Sequence, residues 1–154
     1  MIRHTLTLFA LSAALAACGG GGPDVPIRDY MVQQVQPTAE IYWNSVQFIS
    51  DEQGNHEIFP RTDAEWEEVR QAAVRLGEIG AELKEPRYAE GRGSAWIDFA
   101  DGLIEVAGQA EQAAADKSTD AVFEVGGTVY SVCSACHQAY PPADAPEEMG
   151  NAAG

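Results

Sequence analysis

The chain reads as an all-α protein, an antiparallel four-helix bundle, and three observations carry that reading. Apolar or small residues recur at alternating steps of three and four in four separate segments, the spacing of helices that pack on one another. Helix-start and helix-stop residues fall in the gaps between those segments. No stretch shows the two-residue alternation of a half-buried strand over a comparable length. With 154 residues, 45% hydrophobic and 21% charged, the sequence supports one globular domain around one core.

The first segment runs Val32, Val35, Ala39, Tyr42, Val46, Ile49. Pro37 interrupts it, so either the helix bends there or a main helix begins there behind a short one. Met31 lies upstream of the bend in both cases. Asp51 to Arg61 carries no such stripe and is expected to be the longest loop after the first helix. Thr62, followed three residues later by Glu65, is a capping box that opens the second segment, Trp66, Val69, Ala73, Leu76, Gly80, Leu83, and Glu85-Pro86 closes it. The third runs Trp96, Phe99, Leu103, Val106, Ala110, Ala113. Ser118 or Thr119 starts the fourth: Phe123, Gly126, Tyr130, Cys133, His137, Tyr140. The bundle is thereby assigned to residues 27–140. From Pro141 onward the tail, residues 141–154, reads PPADAPEEMGNAAG, has little to bury and is expected to be disordered.

Ahead of the bundle, Met1-Ile2-Arg3-His4 is a basic start and Thr5 to Ala17 an apolar run, so residues 1–17 read as an export signal. The run is too short to span a bilayer as a helix. Leu15-Ala16-Ala17-Cys18 resembles a bacterial lipoprotein box, in which the cysteine becomes the lipid-bearing first residue. Residues 18–26 would then form a glycine-rich tether, and lipid on Cys18 would hold the domain on the periplasmic side of a membrane, inner or outer. The alternative is ordinary cleavage after the small residues before Cys18, which leaves a free thiol near the terminus.

Loss of residues 1–17 removes Arg3, their sole charged residue, and moves the formal net charge from −15 to −16. A surface this acidic repels nucleic acid and anionic headgroups. It either steers basic partners toward the domain or simply keeps an exported protein dissolved.

Two of the three cysteines and one of the three histidines fall within Cys133-Ser-Ala-Cys136-His137. On a helix, steps of three and four put Cys133, Cys136 and His137 on one face, where they can grip a flat ligand by one edge. Cys-x-x-Cys-His is the attachment signature of c-type haem: two thioether bonds hold the vinyl edge and the adjacent imidazole reaches the iron. A thioredoxin-like redox pair would sit at a helix start in a βαβ setting. A zinc site would want a fourth ligand, which neither His4 nor His56 supplies as a cluster. A plain disulfide would leave His137 without a purpose. Export, helical context and the pentapeptide agree on one covalent haem c. Lipid on Cys18 accounts for the odd cysteine.

The placement of this motif at the C-terminal end of the fourth stripe resembles the class II cytochromes c, the cytochrome c-prime and cytochrome c-556 group. The resemblance spans about residues 27–140 and is strongest over Cys133-Ser134-Ala135-Cys136-His137-Gln138-Ala139-Tyr140. Met31 to Trp43 and Thr62 to Trp66 support it more weakly. Pro141 departs from the pattern, since many members carry a basic residue there, which removes one charge contact to a propionate.

The resemblance implies a four-helix bundle with haem near the C-terminal end of the fourth helix, and it assigns Met31, early in the first helix, to the second axial position. A His/Met pair raises the potential and suits a carrier of single electrons, a non-enzyme that needs no catalytic base. An apolar residue at that position would instead give five-coordinate iron that binds nitric oxide or carbon monoxide. Arg28, three residues before Met31, is a candidate partner for a haem propionate or else an exposed arginine; Arg87 and Arg92 are weaker candidates for the same role. Trp43, Trp66 and Trp96 fall one to a helix as core or haem-wall residues. Gly126 and Gly127 imply close approach of a porphyrin or a neighbouring helix. Expected partners are redox proteins, basic ones favoured by the acidic surface, with a homodimer implied by the family's frequent dimers.

Overall fold

The structure is a computed structural model that describes residues 25–142. The signal, Cys18, most of the tether and the tail beyond Pro142 lie outside those residues. Its elements are α1 (Ile27–Tyr30), a π-helical turn (Met31–Val35), α2 (Gln36–Ser45), β1 (Gln47–Asp51), β2 (Gly54–Ile58), α3 (Asp63–Leu83), α4 (Pro86–Ala89), α5 (Ser94–Ala115) and α6 (Thr119–Ala139). The chain is mostly helical, and α1, the π turn and α2 run on as one rod over residues 27–45.

Pro37 sits in the first turn of α2, directly after the π turn. It has no N–H to donate to the carbonyl four residues back and its ring crowds that carbonyl, so an α-helix through this point is strained. Widening the preceding turn answers this: the Gln36 N–H reaches Met31 O, and Thr38 Oγ1 donates to Gln34 O at 2.7 Å. Met31 thus lies in the π turn, upstream of the proline as the sequence suggests.

The capping box at Thr62 and Glu65 forms reciprocally, with the Glu65 N–H donating to Thr62 Oγ1 at 3.2 Å and the Thr62 N–H donating to Glu65 Oε2 at 2.8 Å. Ser118 caps α6 by accepting from the Ala121 N–H at 3.3 Å. The helices alternate in direction, as contacts at their ends show. Lys84, just past the end of α3, pairs with Asp101 of α5 at 2.5 Å, and Lys117, just past α5, pairs with Asp63 at the start of α3 at 2.6 Å. Tyr140, after α6, lies edge-on to Trp96 near the start of α5 at 5.1 Å between centroids. Tyr30 of α1 donates to Glu82 near the end of α3.

Two apolar clusters fill the interior. Leu76, Ile79, Leu83, Trp96, Leu103 and Val129 belong to the one at the Tyr30 end. Tyr42, Val46, Trp66, Val69, Ala110 and Val122 belong to the other. The second and third stripes are buried as their spacing predicts, apart from half-buried Phe99.

Three expectations are corrected. An antiparallel hairpin, Gln47 opposite Ile58 and Asp51 opposite Gly54, occupies the place of the expected loop, so the fold is not wholly helical. Ile49, counted with the first stripe, belongs to β1, and Val32 is 55% exposed. The fourth helix is rotated from its expected phase: it buries Val122, Gly126 and Val129, while Phe123, Tyr130 and His137 face outward. Arg87 lies in α4.

Candidate haem-attachment site

The last two turns of α6 hold the motif. Cys133 and Cys136 are free thiols, half-buried and packed, with Val132 and Tyr140, against the Leu83, Trp96 and Leu103 end of the core. His137 follows directly, is exposed, and makes no side-chain hydrogen bond to a described residue. The three side chains span one side of α6, the histidine at the solvent margin and the thiols toward the core.

Tyr140 fixes this end of the helix. Its hydroxyl donates to Arg92 O at 2.8 Å, and its ring packs edge-on against Trp96 and Phe99. The Arg92 guanidinium lies over the Trp96 ring at 4.5 Å, and Trp96 Nε1 donates to Leu83 O at 2.7 Å. The α3–α5 connection, the start of α5 and the end of α6 are tied together here.

Burial pushes the Cys133 thiol up to about 11, with Cys136 beside it adding to the effect. Burial also raises Cys136, and Arg92 draws it partly back. Both thiols are therefore protonated at neutral pH and are poor nucleophiles, the reverse of what a dithiol oxidant needs in its attacking cysteine.

Met31 is half-buried and packs against the same cluster as Cys133 and Cys136, together with Val35 and Trp43. The first rod approaches α6 chiefly through α2 rather than through the π turn that carries Met31. The α2 contact is specific: Trp43 Nε1 donates to Gly126 O at 3.0 Å. A Cβ on Gly126 would stand 3.4 Å from Trp43 Cδ1, whereas one on Gly127 would meet nothing within 4 Å. Of the two glycines, only Gly126 serves close approach, and it does so to a neighbouring helix.

Arg28 is exposed on α1, one turn before Met31. Arg87 pairs with Glu85 at 2.9 Å. Arg92 is the arginine whose charge reaches Cys136, a placement that sequence spacing gives no means of finding, because the α5–α6 contact brings it about. Cys18 lies outside the described residues. Among these residues no helix is long and apolar enough to cross a membrane.

Comparison of the chain with family models, with curated proteins and with solved structures finds no match.

Proposed function

We propose that the chain is a class II-like c-type cytochrome, an antiparallel four-helix bundle that carries single electrons on one haem bound covalently near the C-terminal end of α6. The observation that carries this reading is the set of donors on α6. Two half-buried free thiols three residues apart face an apolar end of the core, and an imidazole with no described hydrogen bond follows the second. That donor set fits haem c, which Cys133 and Cys136 would hold through their sulfurs and His137 through its imidazole. When bound, the group supplies reversible one-electron chemistry at iron.

The chain's own residues do the rest. Met31, packed on the same cluster as the thiols, would be the second residue to hold the iron, and its thioether would raise the potential. The apolar cluster that holds Leu83, Trp96, Leu103 and Val129 would keep water from the thiol side. Arg28 and Arg92 are the proposed counter-charges for the propionates. Export with lipid on Cys18 places the carrier at a membrane surface in this reading.

Purification from a host that matures c-type cytochromes tests it. The protein is expected to keep its colour through acid-acetone extraction and to lose it in Cys133→Ala/Cys136→Ala. A colourless polypeptide of its own mass ends the haem reading. A methionine-to-iron charge-transfer band in the ferric spectrum, lost in Met31→Ala, is expected. Ready uptake of carbon monoxide by the ferrous protein would overturn Met31 ligation in favour of five-coordinate gas binding.

A further inference from the structure

The rotation of α6 leaves an apolar groove of about 440 Å³ between that helix, α2 and the hairpin, lined chiefly by Trp43, Phe48, Phe123, Gly127 and Tyr130. Its aromatic residues pack on one another yet stay open to solvent. Phe48 meets Phe123 edge-on at 5.0 Å, Trp43 meets Tyr130 at 6.1 Å, and Phe48, Phe123 and Tyr130 are 45%, 52% and 63% exposed. Phe123, Tyr130 and His137 follow one another at steps of seven and are all exposed, so the exposed face of α6 that lines the groove runs on toward the histidine.

Charge around the groove has one sign. Residues 29–60 and 118–142, which supply every wall of it, contain no lysine or arginine. Glu57 lies directly across the hairpin from Phe48, Glu40 is one turn before Trp43, and Asp120 and Glu124 flank Phe123 on α6. All four carboxylates are exposed. No base lines the groove, and of those in or just past α3 and α5, Arg70, Arg75, Lys84 and Lys117 are already paired with acids. A second copy would bring two acidic rims face to face, and an anionic membrane would be repelled in the same way.

We infer that this groove is a docking surface for a basic protein, one that sets an apolar side chain against Phe48, Phe123 and Tyr130 inside a rim of lysines or arginines. Apolar contact at the centre supplies the affinity, and the acidic rim supplies steering and orientation. That the partner exchanges electrons, along a surface continuous with His137, rests on the haem reading; the docking surface itself does not.

The test uses the purified full chain and, as probe, a small basic cytochrome c with lysines around its haem edge, with binding measured at low ionic strength. Phe48→Ser/Tyr130→Ser and Asp120→Lys/Glu124→Lys are each expected to weaken the dissociation constant about tenfold or more. Glu68→Lys/Glu105→Lys, with the same change of net charge on exposed positions of α3 and α5, is expected to shift it less than about threefold. Circular dichroism checks that each variant is folded. Equal losses from the rim and control pairs would overturn the inference, as would no binding of the probe. Self-association that Phe48→Ser/Tyr130→Ser abolishes would give the groove to a second copy and overturn it too. The haem spectrum of the same samples separates the two readings. Coloured protein that binds the probe without using the groove sinks the docking surface alone, and colourless protein that binds through the groove sinks the haem alone.

Discussion

The α3–α5 interface and the α6–first rod interface are built on opposite plans. Across the first, small residues let the helices close up. Ala72, Ala73, Ala107 and Ala110 are buried, a Cβ on Gly77 would stand 3.6 Å from Ala107 Cβ, and one on Gly80 would stand 2.7 Å from Ile104 Cγ1 and 3.0 Å from Ala100 O. Ion pairs join the same two helices, Arg70 to Glu111 at 2.6 Å among them. Across the second, one tryptophan hydrogen bond and a few rings meet, and an apolar groove stays open. The closed side needs nothing more, whereas the open side exposes apolar surface that a lone globular domain would otherwise cover. His137 is exposed on α6 two heptads beyond Phe123, a ring of the open side.

Truncation of a large side chain should separate the two sides most. Leu76 is fully buried in the closed side, so Leu76→Ala is expected to cost about 2–5 kcal/mol, the range for a core cavity. Phe123→Ala, at a ring 52% exposed, is expected to cost about 1 kcal/mol or less. Urea melts of both variants check the pair. Equal losses would mean that the groove is as closed in solution as the α3–α5 seam.

The same change at two helical glycines should next give opposite signs. Gly80→Ala pushes a methyl into Ile104 and a backbone oxygen and is expected to destabilise by about 1–3 kcal/mol. Gly127→Ala places its methyl in open space and is expected to stabilise by up to about 1 kcal/mol, from the lower helix propensity of glycine. Thermal melts read both. A loss at Gly127 would show that something fills the groove.

How far the sequence discloses these two sides follows from burial. The closed side was legible: Trp66 to Leu83 and Trp96 to Ala113 each bury one stripe, and the cap at Thr62 is a local device readable from four residues. The hairpin was not, because every residue of β2 is exposed and no alternation of burial marks it. On α6 the apolar residues go most of the way round, Val122, Val125, Val129 and Val132 on one phase and Phe123, Tyr130 and Cys133 on another. Periodicity alone cannot choose between those phases. The structure buries Val122 and Val129, half-buries Val125 and Val132, and leaves Phe123 and Tyr130 outside, so the residues that break the rule for a core helix are those that line the open groove. The pentapeptide at Cys133 was legible as a motif, but Arg92 was not, since only the α5–α6 contact brings it near Cys136.

A smaller effect probes the cap that starts the closed side. Thr62→Ala removes the acceptor for the Glu65 N–H and is expected to cost about 1 kcal/mol, with little change in the spectrum of any bound chromophore. A loss of colour at unchanged stability would break the division between a side that folds the chain and the end of α6 proposed to hold the haem.

The smallest expected effect lies at the seam between the two sides, where Tyr30 of the first rod donates to Glu82 of α3 while Arg75 holds the same carboxylate at 2.5 Å. Because Arg75 remains, Tyr30→Phe is expected to cost only about 0.5–1 kcal/mol at neutral pH. Burial, then the hydrogen bond to Glu82, raises the Tyr30 hydroxyl above its ordinary value near 10. A group raised in this way contributes fully below that ordinary value. As pH climbs past about 10, the unfolded chain releases this proton while the folded chain must still hold it, so the contribution drains away. Wild type and Tyr30→Phe should therefore differ in urea midpoint at pH 7, and the difference should narrow above about pH 10. A gap that stays constant to high pH would mean that the hydroxyl does not join the rod to Glu82 in solution, and that the first rod is held to α3 by its apolar face alone.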